Sequence, residues 1–253
     1  MSKSVVNKYL KKLGIEIHTT GYVQSLNGAI QSLKKKSLPD DPFQIQKDLI
    51  GKKEPIIFDV GANRGDVTKK YIQHFPQGTY YCFEPFPATF EILKGQFDSQ
   101  ANVHCLNVAV SDKIEKKQFF VNKNVDTNSL LKPQKAGMPS DAKVKNEYSI
   151  DVNTTTIDSF CEEQKIDYID ILKMDIQGGE LGALKGAIKM LSRKRISCIY
   201  SEVYFVEQYE NHPLFHDISK YLFETGYALQ DIYFPIYANG NLVWADAIFL
   251  LKK

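Results

Sequence analysis

Acidic residues and glycines follow short apolar runs along the chain, a pattern that can hold a nucleotide-like ligand. In IIFDVGANRGD (56–66), Asp59 lies near the end of such a run, and Gly61 and Gly65 follow it. A glycine after a buried strand permits a tight turn, and N–H groups at the start of the next helix can bind the ligand. Dinucleotide sites use G-x-G-x-x-G, whereas here Asn63 takes the middle position. Because an asparagine there crowds a pyrophosphate, the turn favours a ligand without phosphates.

Glu84 ends the next apolar run, about 20 residues after Gly65, where nucleotide-binding folds place an acid on the ribose hydroxyls. A free carboxylate suits an unmodified ribose and disfavours a 2′-phosphate. Pro85 fixes the direction of the chain after Glu84, and Phe86 is placed to pack on an adenine. The competing interpretation of Glu84 is a solvated acid at a strand end.

The third apolar run is followed by NVAVSD (107–112), a segment expected to lie beside the adenine of such a ligand. Backbone groups and short polar side chains can read the adenine edge, although a plain Ser-Asp turn explains this segment equally well. The candidate residues in it are Asn107, Ala109, Ser111 and Asp112.

The segment LKMDIQGGE (172–180) carries the candidate catalytic residues. Lys173 and Asp175 are two positions apart, so they point to the same side of a strand, with Asp175 at the tip where ligands bind. Glu180 falls in the first turn of the following helix, where the helix dipole alone accounts for an acid. Glu202 lies inside the apolar run YSEVYF, and a carboxylate there is costly unless it is paired or used. Glu202 is therefore a second candidate base, with an ion pair to Lys173 as the structural alternative.

No metal site is predicted. His212 and His216 are four positions apart without an acidic partner in the pattern, which favours surface or helix-capping roles. The four cysteines form no C-x-x-C pair, and most lie in apolar runs, where a thiol behaves as a small core residue. This usage favours a reducing compartment.

Apolar runs and helical periods alternate from Pro55 onward, which predicts an α/β fold with a Rossmann-like, doubly wound, mostly parallel sheet. The carboxyl ends of parallel strands meet at one edge, so the acids described above should converge there. One helix is predicted over GGELGALKGAIKML (178–191). Two aromatic-rich runs, YALQDIYF and WADAIFLL, predict a C-terminal antiparallel hairpin.

The chain divides into a predicted N-terminal helical cap, 1–54, and a ligand-binding domain, 55–253. Within the domain, 122–147 is a long polar insertion, and loops of that length commonly bind substrates. The net charge of +2 is too small to produce a strong positive potential, so it does not indicate nucleic acid or an anionic membrane as a partner. No apolar window approaches the roughly 20 residues of a membrane span, and no secretory signal is evident. These features predict a soluble cytoplasmic protein.

Together these segments resemble the FkbM-type family of class I S-adenosylmethionine-dependent methyltransferases. The resemblance rests on FDVGANRGDVT, FEPFP, LNVAVSD, TTTIDSF, ILKMDIQGGELGALKGA and the closing DAIFLL, and it runs from Ile56 to Leu251. The ordered set is more specific than its first motif alone. Where the family usually has an acid, this chain has Gln177, which leaves the role of that position open.

The resemblance implies S-adenosylmethionine as the cofactor and O-methylation of a hydroxyl on a sugar, a polyketide or another small secondary metabolite. It places the methionyl end near Asp59, Gly61 and Asn63, and the ribose on Glu84. The implied partner is a small hydroxylated acceptor, and the oligomeric state is open, with a homodimer among the options. The cofactor-binding candidates are Asp59, Gly61, Ala62, Asn63, Gly65, Glu84, Pro85, Phe86, Asn107, Ala109, Ser111 and Asp112, and the catalytic candidates are Asp175, Glu202 and Lys173.

Two other functions are compatible with such a sheet. One is an NAD-dependent oxidoreductase, which the missing middle glycine and the lack of a Tyr-x-x-x-Lys dyad disfavour. The other is a non-catalytic protein that binds a partner, which the intact set of strand-end acids disfavours. Binding of S-adenosylmethionine, S-adenosylhomocysteine or NAD would distinguish the three.

Overall fold

The computed structural model describes residues 41–134 and 144–252. The helices in these residues are α1 (Pro42–Ile50), α2 (Asp66–His74), α3 (Pro87–Phe97), α4 (Ile157–Gln164), α5 (Glu180–Lys185), α6 (Ile188–Ser192) and α7 (Phe215–Glu224), with a short 3₁₀ helix at Val125–Thr127. The strands are β1 (Ile56–Val60), β2 (Thr79–Phe83), β3 (Val103–Leu106), β4 (Ala109–Val110), β5 (Lys116–Asn122), β6 (Asn146–Thr155), β7 (Ile169–Met174), β8 (Ile196–Tyr204), β9 (Tyr227–Ala238) and β10 (Asn241–Leu251).

Seven strands form the central sheet, in the order β3-β2-β1-β7-β8-β10-β9. β1 pairs in parallel with β2 and with β7, and β7 pairs in parallel with β8. β10 is antiparallel to β8 and β9, which confirms the predicted C-terminal hairpin. Because the chain continues from β1 to one side and returns on its other side at β7, the topological switch point lies between β1 and β7. Ligands of such sheets bind outside the carboxyl ends of the strands at this point.

Helices cover both faces of the sheet because the central strands are apolar on both sides. In β1 the side chain of Ile57 packs into one core with Tyr71 of α2, and its neighbour Phe58 packs into a second core with Phe160 of α4. Successive side chains of a strand point to opposite faces of the sheet, so β1 contributes side chains to both cores. The doubly wound, mostly parallel sheet is therefore confirmed.

The segment that was predicted to form the third strand is divided between two sheets. β3 is the edge of the central sheet, whereas β4 belongs to a small sheet in the order β4-β6-β5. The chain between them crosses the carboxyl edge of β2, since the side chain of Asn107 donates to the carbonyl of Glu84 at 2.9 Å.

The single helix predicted over 178–191 was wrong, because the structure breaks it into α5 and α6. A Cβ at Gly186 would lie 2.2 Å from the carbonyl oxygen of Ser111, so the break lets the backbone approach the end of β4 closely. The carboxylate of Asp158 then accepts the N–H groups of Lys189 and Met190 and caps α6. A long-range contact thus outweighs the local helical period.

The predicted cap over 1–54 lies mostly outside the described residues. Its described part contains α1, which begins after Asp41, whose carboxylate accepts the N–H of Phe43 at 2.9 Å. The Phe43 ring packs edge-on against Tyr71 at 5.0 Å, and the Tyr71 hydroxyl donates to Gln46 at 2.9 Å. The division of the chain at residue 54 stays a prediction. No helix among the described residues is long and apolar enough to cross a membrane.

Candidate active site

A cleft of about 310 Å³ opens at the carboxyl ends of β1, β2 and β7, the edge where the sequence predicted the site. Its walls come from the turns after these strands, from β4 and from the segment 125–130. The predicted residues that line it are Gly61, Ala62, Asn63, Glu84, Pro85, Ala109, Lys173 and Asp175. The predicted residues that lie outside its lining are Asp59, Gly65, Phe86, Asn107, Ser111, Asp112 and Glu202.

The turn after β1 needs glycine at residue 61 for a steric reason. Gly61 has φ +76°, and a Cβ on it would lie 2.0 Å from the carbonyl oxygen of Asp175. The N–H groups of Gly61 and Ala62 both donate to the carbonyl of Phe83 at 3.0 Å. This glycine therefore lets the ends of β1, β2 and β7 meet. Gly65 has a different role, because a Cβ there would clash with the ring of Phe97 at 2.4 Å, inside the α2–α3 contact.

Asp59 is fully buried and supports the turn without reaching the cleft. Its carboxylate pairs with Lys173 Nζ at 2.8 Å and accepts the Thr68 hydroxyl at 2.6 Å. Lys173 Nζ also donates to the Gly61 carbonyl at 2.9 Å, so the sequence alternative of an ion pair between Lys173 and Glu202 is wrong. Burial lowers the pKa of Lys173, but the carboxylates of Asp59 and Asp175 outweigh it and raise that pKa to about 12. The ammonium thus stays charged and braces the turn.

Glu84 follows β2 and lines the opposite side of the turn. Its two carboxylate oxygens accept the N–H of Asn63 at 3.1 Å and the N–H of Phe86 at 2.8 Å. Burial raises the pKa of Glu84 to about 7, and these two amides act in the opposite direction. Each oxygen keeps a further lone pair, so the ionised group can accept hydrogen bonds from ligand hydroxyls.

Residues 125–130, here called the strap, cross the cleft and are tied to it at three points. Asn63 Nδ2 donates to Asp126 Oδ1 at 2.9 Å, and the Tyr209 hydroxyl donates to the carbonyl of Thr127 at 2.9 Å. The Ser129 hydroxyl donates to the carbonyl of Gln177 at 2.7 Å. Asn63 Oδ1 is buried and has no protein partner within the described ranges, so it is an acceptor available to a ligand. The sequence predicted the long loop 122–147 as a substrate element but gave no reason to single out Asp126.

The segment 107–112 lines the cleft through its apolar residues Val108, Ala109 and Val110. Its polar side chains have structural partners. Asn107 Nδ2 donates to the carbonyls of Glu84 and Pro85 at 2.9 and 3.1 Å, and the Ser111 hydroxyl donates to Asp112 at 3.1 Å. An adenine held here would meet an apolar surface and backbone groups.

On the far side of the turn, Asp175 shares a hydrogen-bond network with Glu202. Gln177 Nε2 donates to Asp175 Oδ1 at 3.0 Å and to Glu202 Oε2 at 2.7 Å. Burial first, and then the carboxylate of Asp175, raise the pKa of Glu202 well above its usual range. Glu180 stands apart, because its carboxylate accepts the N–H of Ile176 at 2.9 Å and burial raises its pKa to about 7. This contact agrees with the structural interpretation of Glu180.

The two histidines do not form a pair. A surface or helix-capping role was predicted for His212, and the structure excludes the surface position because the residue is buried. Its Nδ1 accepts the N–H of Gln208 at 3.1 Å. Burial lowers the pKa of His212 to about 4. His216 lies in α7, exposed, beside Asp217. No cluster of three or more metal-ligating side chains occurs in the described part of the chain.

This fold, with a glycine turn after β1 and acids after β2 and β7, is that of the class I methyltransferases. The family model for the methyltransferase FkbM domain matches residues 59–229. The chain belongs to this family, as the motifs predicted, and the protein is a methyltransferase.

Relatives of known name agree with this assignment. The chain is 26% identical to the 2-O-methyltransferase NoeI of Sinorhizobium fredii, over 81% of this chain and 84% of that protein. It is 25% identical to the methyltransferase sdnD of Sordaria araneosa, over 52% of this chain and 60% of that protein. The crystal structure of methyltransferase FkbM from Methylobacillus flagellatus KT superposes with a TM-score of 0.52 at 15% identity, over 78% of this chain. The match spans 44% of that longer chain, and it shows a common fold.

Proposed function

We propose that the protein is an S-adenosylmethionine-dependent O-methyltransferase that acts on a hydroxyl group of a small molecule such as a sugar or a polyketide. The observation that carries the proposal is that Glu84 and Asp175 line one cleft on opposite sides of the turn after β1. One carboxylate can then hold the cofactor while the other serves the acceptor.

The residues of the cleft fit the chemical groups of S-adenosylmethionine. The ionised Glu84 suits the two ribose hydroxyls, because each of its oxygens accepts one backbone amide and keeps a lone pair for a ligand. The unpartnered Asn63 Oδ1 and the backbone of the glycine turn suit the polar methionyl end. Val108 and Val110 suit the adenine face. Asn63 bonds across the turn to Asp126, which leaves this position unsuited to a pyrophosphate.

S-adenosylmethionine, when bound, supplies an electrophilic methyl group on a sulfonium that is already a good leaving group. Much of the barrier reduction can therefore come from alignment by the protein. An alcohol acceptor also needs a base, because its proton leaves as the new C–O bond forms. Asp175 is the base in this proposal, because it lines the cleft, whereas Glu202 does not and Lys173 is occupied by Asp59 and the Gly61 carbonyl.

The choice of a hydroxyl acceptor rests on the name of the relative NoeI, a 2-O-methyltransferase, and on the presence of a carboxylate base. The strap brings Asp126 and Asn128 to the cleft, two polar side chains that can bind hydroxyls of a sugar-like acceptor.

A screen with S-adenosylmethionine carrying a labelled methyl group tests this proposal. Purified protein is incubated with panels of monosaccharides, hydroxylated polyketides and primary amines, and the label is sought in the products. We expect label on a hydroxyl, and at least tenfold less with Asp175→Asn. Label on amines alone, or equal labelling by the variant, would contradict the proposal.

A further inference from the structure

Residues 62–65 form a tight turn that leads from β1 into α2. The N–H of Gly65 donates to the carbonyl of Ala62 at 2.8 Å, which closes the turn. Asn63 and Arg64 are its two corner residues. The side chain of Asn63 is bonded to the strap, whereas the side chain of Arg64 is exposed and lines the cleft.

Arg64 has no ionic partner in the part of the chain that the structure describes. The cations of the ion pairs found there are lysines and histidines. Asp66, the acid closest to Arg64 in sequence, pairs with Lys69 at 3.5 Å instead. The guanidinium of Arg64 therefore remains available to a ligand in the cleft.

The other charged groups of the cleft would repel an anion. Four carboxylates line it, those of Asp66, Glu84, Asp126 and Asp175. Lys173, the second cation of the lining, is paired with Asp59 at 2.8 Å, so its charge is already neutralised. Because like charges repel and opposite charges attract, a negatively charged group of a ligand is favoured beside Arg64.

The start of α2 favours an anion at the same place. Its N-terminal residue Gly65 provides no side-chain cap, so the first N–H groups of this nine-residue helix are left to other acceptors. Arg64 directly precedes this end, where a cation opposes the helix dipole and does not stabilise the helix. An anionic ligand would interact favourably with both the guanidinium and the N–H groups.

The position of the turn matches the route of the cofactor in the proposed function. There the ribose lies on Glu84, which follows β2, and the methyl group faces Asp175, which follows β7. β1 lies between these two strands, so a ligand that reaches both acids crosses the turn after β1. The methionyl end of S-adenosylmethionine carries a carboxylate, and it would pass beside Arg64.

We infer that Arg64 binds the methionyl carboxylate of the cofactor. A guanidinium presents its N–H groups in a planar fork that matches the two oxygens of a carboxylate. The inference rests on the proposed function and adds a binding residue to it.

Two ligands that differ only in the carboxylate test the inference. They are S-adenosylhomocysteine and its decarboxylated analogue, which keeps the ammonium group, and calorimetry measures the affinity of each. In the parent protein, loss of the carboxylate should weaken binding by about tenfold, between the effects of an exposed ion pair and of a buried charged hydrogen bond. In Arg64→Gln the same change of ligand should weaken binding by less than about threefold, because the opposite charge is gone.

Arg193→Gln is the matched control. Arg193 is exposed and precedes β8, at the amino ends of the strands, so this variant loses the same charge outside the cleft. It should keep the ratio of affinities of the parent protein. Arg64→Lys retains the charge without the planar fork, and its ratio should lie between those of the parent and of Arg64→Gln.

An equal ratio of affinities in the parent protein and in Arg64→Gln overturns the inference, since Arg64 would then not sense the carboxylate. The midpoint of thermal unfolding of Arg64→Gln without ligand should stay within about 2 °C of the parent, because the side chain is exposed and unpaired. Failure of this variant to fold would show a structural role and would also overturn the inference. If the parent binds neither ligand, the proposed function fails and the inference fails with it. If the parent binds S-adenosylhomocysteine and transfers label while the ratio is unchanged in Arg64→Gln, only the role of Arg64 fails.

Discussion

The two sides of the cleft are built in different ways. The side formed by the ends of β1 and β2 uses backbone groups, as in the amides of Asn63 and Phe86 that meet Glu84. The side formed by the ends of β7 and β8 uses side chains, with Gln177 joining Asp175 to Glu202. The backbone side draws on two short motifs, those that follow β1 and β2, whereas the side-chain side also depends on Glu202, which lies inside β8 and carries no motif of its own.

The two sides also handle buried charge differently. Beneath the turn after β1, the Asp59 carboxylate meets the Lys173 ammonium at 2.8 Å, so opposite charges neutralise each other. Asp175 instead accepts the neutral amide of Gln177 at 3.0 Å. A paired charge gives rigidity, whereas a carboxylate that lines a cleft and accepts a neutral donor is placed to accept a proton in the proposed reaction.

The largest effect is expected from Asp175→Asn. Loss of the base should lower kcat by about 10²- to 10⁴-fold, with the cofactor affinity unchanged, because the amide keeps the size of the side chain. Steady-state kinetics and calorimetry measure the two quantities. Asp167→Asn, an exposed site away from the cleft, is the control. A parallel loss of cofactor affinity would mean that the two sides are not independent.

Lys173→Met should destabilise the protein by about 3–5 kcal/mol, because it leaves Asp59 buried without its partner. Urea unfolding measures this, and Asp59→Asn in the same chain should restore part of the loss. Lys189→Met breaks a pair of 3.5 Å between side chains that are 61% and 76% exposed, and its cost should stay below about 1 kcal/mol. An equal loss of unfolding free energy in the two lysine variants would contradict the role of Lys173 in stabilising the turn after β1.

Glu84 should make cofactor binding depend on pH. Its pKa of about 7 lies above the value of about 4.3 for an unfolded glutamate, so its contribution to the stability of the unliganded fold is lost as pH rises between these values. The ionised form is the stronger acceptor of ribose hydroxyls, so S-adenosylhomocysteine should bind on the order of tenfold more tightly at pH 8 than at pH 6.

Glu84→Gln should bind more weakly and lose most of this pH dependence, whereas Glu91→Gln, on the exposed side of α3, should keep it. Calorimetry at the two pH values measures both. An identical pH dependence in Glu84→Gln would place the titrating group elsewhere.

The smallest effect is expected at the bond from Asn63 to Asp126, which ties the strap to the turn after β1. This bond is exposed, so Asp126→Ala should raise the KM of the acceptor or of the cofactor by roughly two- to tenfold. The variant should leave kcat nearly unchanged, and Asp151→Ala, exposed on β6, serves as the control. A fall in kcat that approaches that of Asp175→Asn would show that the strap takes part in the chemistry.

The features that could be predicted from the sequence are those that short segments carry. Strand–helix alternation gave the doubly wound sheet, and the apolar runs located the ends after which Glu84 and Asp175 stand. Asp59 shows the limit of prediction from sequence. An acid at a strand end has the same sequence pattern whether it binds a ligand or is buried in the core. Only the sheet order places Asp59 beside Lys173, its register partner on β7.

The remaining features come from contacts between distant residues. Ser129 and Tyr209 reach Gln177 across about 30 to 50 positions, and no periodicity marks them in the sequence. The split between α5 and α6 likewise depends on Ser111. Such contacts follow from the packing of the whole domain, which local patterns do not specify.

The central claim is that the turn after β1 and Glu84 form a site for S-adenosylmethionine. Calorimetry with S-adenosylhomocysteine and with NAD, on the parent protein and on Asp175→Asn, tests it most directly. The account predicts one molecule of S-adenosylhomocysteine per chain, bound equally well by both proteins, and no binding of NAD. Binding of NAD in place of S-adenosylhomocysteine, or of neither, would contradict it.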